Sequence, residues 1–388
     1  MKILVLLSRV PYPLDKGDKL RAFHQIKHLA KSHKIILCSL NDQPLHPQAI
    51  RVLNEFCQHT EIIQLTKKGI LVNLFKSFFS GKPFQTGYFY SKNAQHKINE
   101  LVNKFKPDHI YCQLIRVTEY IKAYHDIPKT IDYMDAFSTG IERRIKNAPW
   151  YLKLFLKLES NRLKKYETAI FDHFNNKTII TTQDKTLIKH PRNNEIVVIP
   201  NGVDTDFFQP LSLKKEYDLV FTGNMNYPPN INSAEFLVKK ILPLILKKYP
   251  DVTLLISGVT PSRSVLALQS KNVTVSGWIK DIRESYAKSK IFIAPMLIGT
   301  GLQNKLLEAM SMRLPCITSQ LANNALDATN GENILIGNTP LEYANHIIHL
   351  LENEESRNKI AQNGYDFVRK KYNWDNSTAL LKAVIIGK

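Results

Sequence analysis

Late in the chain, two glycines, a lysine and a glutamate follow an apolar strand in an order suited to a phosphate and a sugar hydroxyl. The stretch Ile291–Met312 reads IFIAPMLIGTGLQNKLLEAMSM. An apolar run ends at Pro295, a loop carries Gly299 and Gly301, and an apolar helix is expected over Gly301–Met312. Glycines let backbone N–H groups approach a ligand, and a helix start offers unpaired donors with positive dipole potential, so an anion is favoured there. Lys305 adds a full charge in the first turn. Glu308 follows three residues later on nearly the same face, where a carboxylate can accept two hydrogen bonds from ribose hydroxyls. The residues alone also allow a plainer reading, in which the glycines shape a loop and Lys305 and Glu308 form a helix-face ion pair.

Other side chains with chemical potential are fewer. Asp132 and Asp135, in TIDYMDA, follow an expected strand of the first half; they suit an acceptor hydroxyl or a base, and equally a loop cap. His24 and His28 stand four apart on one helix, but no third metal ligand lies near, so a polar helix face is expected. Glu159, Arg162 and Glu167 fall in a charged helix and are expected to make surface pairs. No Asp-x-Asp motif is present to hold a metal, and neither half carries Gly-x-Gly-x-x-Gly after its first strand, which argues against a nicotinamide enzyme.

Short apolar runs alternating with amphipathic stretches must position these residues, the pattern of parallel sheets covered by helices. In the first half the expected strands are Lys2–Leu7, Lys34–Ser39, Glu61–Leu65, His109–Gln113 and Thr178–Thr181. A second series comprises Asp218–Thr222, Thr253–Ser257, Val273–Ser276, Ile291–Ala294 and Cys316–Thr318. Helical stripes are expected over Lys19–Lys31 and Ser233–Leu246. At 388 residues the chain suits two domains, residues 1–200 and 201–388, divided at the Pro-Asn-Gly turn. The fold class is α/β, with ligands expected in a central cleft facing the carboxyl ends of the strands.

The four cysteines are scattered without a CxxC pair, and Cys38, Cys112 and Cys316 sit in apolar runs as small buried residues. No run reaches the roughly 18 to 20 apolar residues of a membrane span, so a cytoplasmic protein is expected. The net charge of +19 is uneven: residues 1–200 hold 32 Lys+Arg against 17 Asp+Glu, whereas residues 201–388 hold 21 against 17. Such a surface attracts phosphates, nucleic acid or anionic lipid. Leu71–Tyr90 and Pro149–Lys165 mix aromatic and basic residues; they suit a membrane face or, alternatively, helices turned toward the core. A peripheral position on the inner face of the plasma membrane is therefore part of the expectation.

The run GLQNKLLEAM at Gly301–Met310, followed by LPCIT at Leu314–Thr318, resembles the donor signature of retaining glycosyltransferase family 4. More narrowly, it is similar to bacterial sugar transferases associated with the PEP-CTERM/exosortase system. FTGNMNYPPN at Phe221–Asn230, VSGW at Val275–Trp278 with Asp281, NGVD at Asn201–Asp204 with Phe207, and GDKLR at Gly17–Arg21 match as well. The resemblance implies a GT-B fold of two doubly wound Rossmann-like domains facing a central cleft, the first for the acceptor and the second for the donor. It implies that Gly223 and Asn224 line the donor phosphates and that Ser276, Gly277 and Trp278 frame the base. Gly301 and Leu302 would offer N–H groups to sugar and phosphates, Lys305 would neutralise the diphosphate, and Glu308 would hold the ribose. Gly17 would approach the donor, with Arg21 as a further basic contact. Thr300 belongs to the same set, standing where the family places a sugar-contacting glutamate eight residues before Glu308.

The function so implied is transfer of a sugar from a UDP- or GDP-sugar, without metal or other cofactor, to a saccharide or lipid-linked acceptor in exopolysaccharide or cell-surface glycan synthesis. Lys305, Glu308 and Asp135 are the expected catalytic residues. Two other readings remain: a catalytically inactive scaffold of this fold, prompted by Thr300 and Asn224, and a nucleic-acid-binding protein, prompted by the charge alone. No helix-turn-helix, zinc or RNP-like motif supports the last, and nucleic acid is not an expected partner.

Overall fold

The alternation of side chains along the first apolar run shows how the first sheet is built. In the computed structural model, which describes residues 1–146, 148–298 and 301–387, Leu4 and Leu6 enter one hydrophobic cluster while Ile3, Val5 and Leu7 enter another. A strand apolar on both faces must lie inside a sheet covered on both sides. Seven parallel strands form that sheet among the described residues: β1 (Lys2–Leu7), β2 (Lys34–Asn41), β3 (His59–Gln64), β4 (His109–Gln113), β5 (Lys129–Asp132), β6 (Asn176–Ile179) and β7 (Ile196–Val198). Their order is β3-β2-β1-β4-β5-β6-β7. The direction of winding reverses between β1 and β4, which pair with Leu4 beside Ile110.

A second parallel sheet contains β8 (Tyr217–Thr222), β9 (Leu254–Ser257), β10 (Val273–Gly277), β11 (Ser289–Ala294), β12 (Cys316–Thr318) and β13 (Leu335–Ile336). Its order is β10-β9-β8-β11-β12-β13, reversing between β8 and β11. Loops leaving β8 and β11 therefore diverge and open a crevice at the carboxyl edge, the place where doubly wound sheets hold ligands. The loop after β8 carries Gly223, and the loop after β11 leads to the helix Asn304–Ser311.

The ten strands expected from sequence all occur, with ends shifted by up to two residues. Three further strands, for which no bounds were expected, are β5, β7 and β13. β5 begins and ends on charged residues, Lys129 and Asp132, both buried, and β7 and β13 span only three and two residues. The chain divides into two compact units, Met1–Pro200 with Ser377–Lys388, and Asn201–Asn376. The expected second domain ran to residue 388; instead the last segment belongs with the first unit. The cause is apolar: Leu381 and Ile385 join the cluster of Ile3, Val5 and Leu7.

The charged helix Trp150–Ile170 departs from expectation. Glu159 and Glu167 are buried rather than paired on the surface. Glu159 accepts from the backbone N–H groups of Phe84 (2.8 Å) and Gln85 (3.1 Å), capping a helix start, and Glu167 accepts from Ser138 N (3.0 Å) and Oγ (2.5 Å). Arg162 donates to the carbonyls of Ser77 and Phe78, closing a helix end. These charges serve backbone groups that burial would otherwise leave unpaired. His24 is likewise buried beside the Phe23 ring rather than on a polar face. The four cysteines are free and buried, and burial pushes the thiols of Cys38 and Cys57 up to about 12.

Candidate functional site

The crevice of the second unit is assembled from strand ends that could not approach if they carried side chains. β8 ends on Thr222, and the chain turns at Gly223 with φ +152°. A Cβ at Gly223 would lie 2.7 Å from Asn230 Nδ2 and 3.3 Å from Lys305 Nζ. One at Gly258, just beyond β9, would lie 1.8 Å from the Gly223 carbonyl oxygen. Glycine at both positions lets the ends of β8 and β9 touch and exposes backbone beside Lys305.

Lys305 is half-buried in the first turn of the helix Asn304–Ser311. Its Nζ donates to Asn230 Oδ1 and lies 4.8 Å from the centroid of the Phe221 ring. Asn230 is itself fixed, its amide donating to the Asn224 carbonyl at 2.9 Å. Among the described residues no carboxylate lies within ion-pairing distance of Lys305. Burial lowers its pKa to about 7, with the Glu308 carboxylate opposing the shift.

Glu308 stands one turn further along. Tyr286 donates to its Oε2 at 2.7 Å, and the buried Tyr286 hydroxyl also meets Thr222 Oγ1 at 2.8 Å. Burial raises the Glu308 pKa, while the Tyr286 hydrogen bond and Lys305 oppose the rise. The ion-pair reading of Lys305 and Glu308 is thus not what forms: each binds a neutral partner. A cation held by an amide and a carboxylate with one oxygen engaged can receive an anion and hydroxyl donors together.

The remaining expected residues divide by what their atoms already do. The helix begins at Asn304, with Gln303 as its N-cap, so Gly301 and Leu302 precede it rather than open it. Gln303 Nε2 donates to the Gly301 carbonyl at 2.9 Å. A Cβ on Gly301 would meet nothing within 4 Å, whereas Leu302 packs partly on the core. Gly299 and Thr300 lie outside the described residues. Asn224 is exposed, but its Oδ1 accepts from Asn226 N and Thr260 Oγ1, both at 3.0 Å, so its side chain secures the loop. Ser276 and Trp278 are exposed at the end of β10, with Gly277 between them at φ +68°. Their loop rim is open.

In the first unit, Gly17 begins the helix Gly17–Leu29 with open space around it. Arg21, four residues on, is enclosed. Its Nε lies 2.6 Å from Asp132 Oδ2, with both side chains fully buried, and Tyr111 donates to the same carboxylate at 2.9 Å. This pairing commits the Arg21 charge to the interior rather than to a donor, and makes Asp132 structural. Asp135 differs: it follows Met134, which has φ +63°, and keeps contact with solvent. Desolvation of its carboxyl by the surrounding protein, followed by the carboxylates of Asp184 and Glu167, pushes its acid up to about 7, with Arg116 and Arg143 opposing the rise.

Sequence reasoning missed Asn230 and Tyr286. Asn230 lay within the matched stretch Phe221–Asn230 but carried no assigned role. Tyr286 gave no signal, because its contact with Glu308 spans 22 residues and two helices.

Residues 216–353 match the family model of glycosyl transferases group 1. Solved structures covering the whole chain share the architecture at low identity. Sucrose-phosphate synthase of Thermosynechococcus elongatus superposes with a TM-score of 0.72 at 14% identity, covering 100% of this chain and 99% of that one. HepE of Anabaena, crystallised with UDP and glucose, gives 0.68 at 12% identity, covering 99% of each. The fold is GT-B. The match over residues 216–353 supports a group 1 glycosyltransferase domain in the second unit, enclosing Gly223, Asn230, Lys305 and Glu308. Among curated relatives, an uncharacterised 44.6 kDa protein of the cps region in Klebsiella pneumoniae is 23% identical over 96% of both chains. The Escherichia coli UDP-Gal:alpha-D-GlcNAc-diphosphoundecaprenol alpha-1,3-galactosyltransferase is 28% identical over 45% of this chain and 52% of its own. Glycosyltransferase function is thus supported by the family match over residues 216–353.

Proposed function

We propose that the protein transfers a sugar from a UDP- or GDP-sugar to a saccharide or lipid-linked acceptor in bacterial exopolysaccharide or cell-surface glycan synthesis. The reading includes retention at the transferred carbon and no metal, with relatives of the family 4, PEP-CTERM-associated kind. The observation that carries it is the pairing of a half-buried cation, Lys305, with a neutral amide, one helical turn from a carboxylate with an engaged and an open side. The activity of the galactosyltransferase relative, on a diphosphoundecaprenol-linked acceptor, and the cps-region origin of the other support the acceptor class.

In this reading the donor diphosphate lies against Lys305 Nζ, the backbone beside Gly223, and Gly301 with Leu302. Glu308 accepts from the ribose hydroxyls, and the Ser276–Trp278 rim covers the base. Breaking the sugar–phosphate bond places growing negative charge on the diphosphate, which a preoriented cation in a poorly solvated site stabilises strongly. Bound diphosphate raises the Lys305 pKa, so the lysine takes up a proton as the nucleotide enters. Asp135, with an acid near neutrality, has the basicity suited to accept a proton from an acceptor hydroxyl. Gly17 leaves room near the amino end of its helix.

Calorimetric titration of the purified chain with UDP and GDP tests the reading. Binding with proton uptake near pH 7, abolished in Lys305→Ala, is the expected result. Absence of binding by either nucleotide removes the proposal.

A further inference from the structure

Eleven of the 26 exposed large apolar side chains among the described residues fall in two short stretches of the first unit, residues 71–79 and 150–158. On the helix Lys67–Ser80, Leu71, Phe75 and Phe79 recur every four residues and are 67%, 69% and 73% exposed. On the helix Trp150–Ile170, Trp150, Leu154 and Leu158 do the same, at 84%, 79% and 36%. Both segments were open, on sequence alone, to a core-facing reading; the structure turns these apolar stripes outward.

The cause lies on the other side of the first helix. Its buried residue is Ser77, which meets Gly87 so closely that a Cβ there would fall 1.8 Å from Ser77 Oγ. The side bearing Ile70, Asn73 and Ser77 docks, leaving the aromatic side in water. The stripes form one surface: Phe84 lies between them, its ring centroid 6.3 Å from Phe78 and 4.7 Å from Phe155, and Arg162 ties the helices through Phe78 O.

Lysines dominate the charge around this surface. Residues 62–99 contain six lysines and no Asp or Glu, and residues 147–158 contain two lysines and no acid. Beside the first stripe lies a cavity of about 800 Å³ lined by Lys68, Lys76, Lys82, Lys92 and Lys122, with Glu119 as the acid among its lining residues. Lys82 and Lys122 bind Glu119 at 2.5 and 2.9 Å. Among the described residues Lys68, Lys76 and Lys92 have no carboxylate partner. A contiguous apolar patch marks an interaction surface, and an apolar stripe flanked by lysines suits the boundary between lipid headgroups and acyl chains. A second copy would bring the same lysines against these, which like-charge repulsion opposes.

We propose that this face docks the protein on an anionic phospholipid bilayer, with the aromatic stripes below the headgroups and lipid phosphates in the lysine cavity. The proposal stands independently of the sugar-transfer reading, because lipid binding needs neither donor nor turnover.

The test is flotation of the full chain with vesicles of equimolar phosphatidylcholine and phosphatidylglycerol, against phosphatidylcholine alone. Binding is expected to the anionic vesicles, weakened by salt, with a blue shift of tryptophan emission that Trp150→Phe removes. Lys68→Gln and Lys76→Gln should each weaken binding about fivefold, and Phe75→Ser with Phe79→Ser by more than about tenfold. Because the emission shift is read on the unmodified chain, a variant that fails to fold does not end the test. Equal binding to both vesicle types, retention of binding in the Phe75/Phe79 variant, or a dimer that this variant dissolves would each overturn the proposal.

Discussion

Each unit contains a cation withdrawn from water near the carboxyl edge of its sheet, and the two are handled in opposite ways. Arg21 meets Asp132 at 2.6 Å, with Tyr111 on the same carboxylate, and the group is neutral overall and closed to solvent. Lys305 meets the amide oxygen of Asn230 and the face of Phe221, with no carboxylate in ion-pairing distance among the described residues, and its pKa falls to about 7. A buried charge with its counter-charge beside it stabilises the fold and has nothing to offer a ligand. A buried charge without one destabilises the empty protein and strengthens any anion that restores the balance. The first arrangement builds a domain, and the second builds a binding site.

Removing the cations separates the two cases. Arg21→Ala leaves Asp132 charged and buried, so we expect about 3 to 5 kcal/mol of stability to be lost, read from thermal or denaturant unfolding. Retention of wild-type stability would make the Arg21 pair ornamental and end the contrast. Lys305→Ala should leave the melting midpoint unchanged or higher while reducing kcat/KM by about 3 kcal/mol, or roughly two orders of magnitude, in a sugar-transfer assay. A matching loss of stability would assign Lys305 to the fold instead.

Gly223→Ala disturbs the neighbours of Lys305 and leaves its charge in place. The new Cβ would press on Asn230 and Lys305 and strain a backbone at φ +152°, so nucleotide affinity should weaken by about 1 to 3 kcal/mol. Calorimetry reads that change directly. The smallest effect is graded with pH. The empty protein loses the Lys305 proton near 7, whereas the anion-bound form holds it to higher pH. Affinity for a nucleoside diphosphate should therefore fall up to about tenfold per pH unit above 7. Folding shows the reverse trend for the same group. Because the unfolded lysine keeps its proton to about 10.5, the unfolded chain binds more protons between 7 and 10.5, and this contribution to stability rises with pH across that window.

Much of the site was legible because its parts are close in sequence. Lys305 and Glu308 announce themselves by spacing on one helix behind a glycine-bearing loop. Their supports, Asn230 and Tyr286, arrive from other elements 75 and 22 residues away. Local pattern carries no information about such partners. Arg21 shows the converse: motif resemblance placed it with the donor residues, and packing gave its charge to Asp132, 111 residues away. Glu159 and Glu167 had the spacing of surface charges yet cap buried backbone groups, because periodicity reports neither which helix face is covered nor what lies beneath it.

By itself the sequence determined the alternation of strands and helices, the division near residue 200, and the strand-loop-helix that carries Lys305 and Glu308. Those properties follow from hydrophobic period and from backbone preferences that act within a few residues. Only the tertiary structure decided which charges are neutralised at home and which stay open. It also decided that the aromatic stripes of residues 71–79 and 150–158 face outward, and that the chain after Ser377 returns to the first unit. Burial and counter-charge depend on what arrives from elsewhere in the chain, and that is settled only when the elements pack.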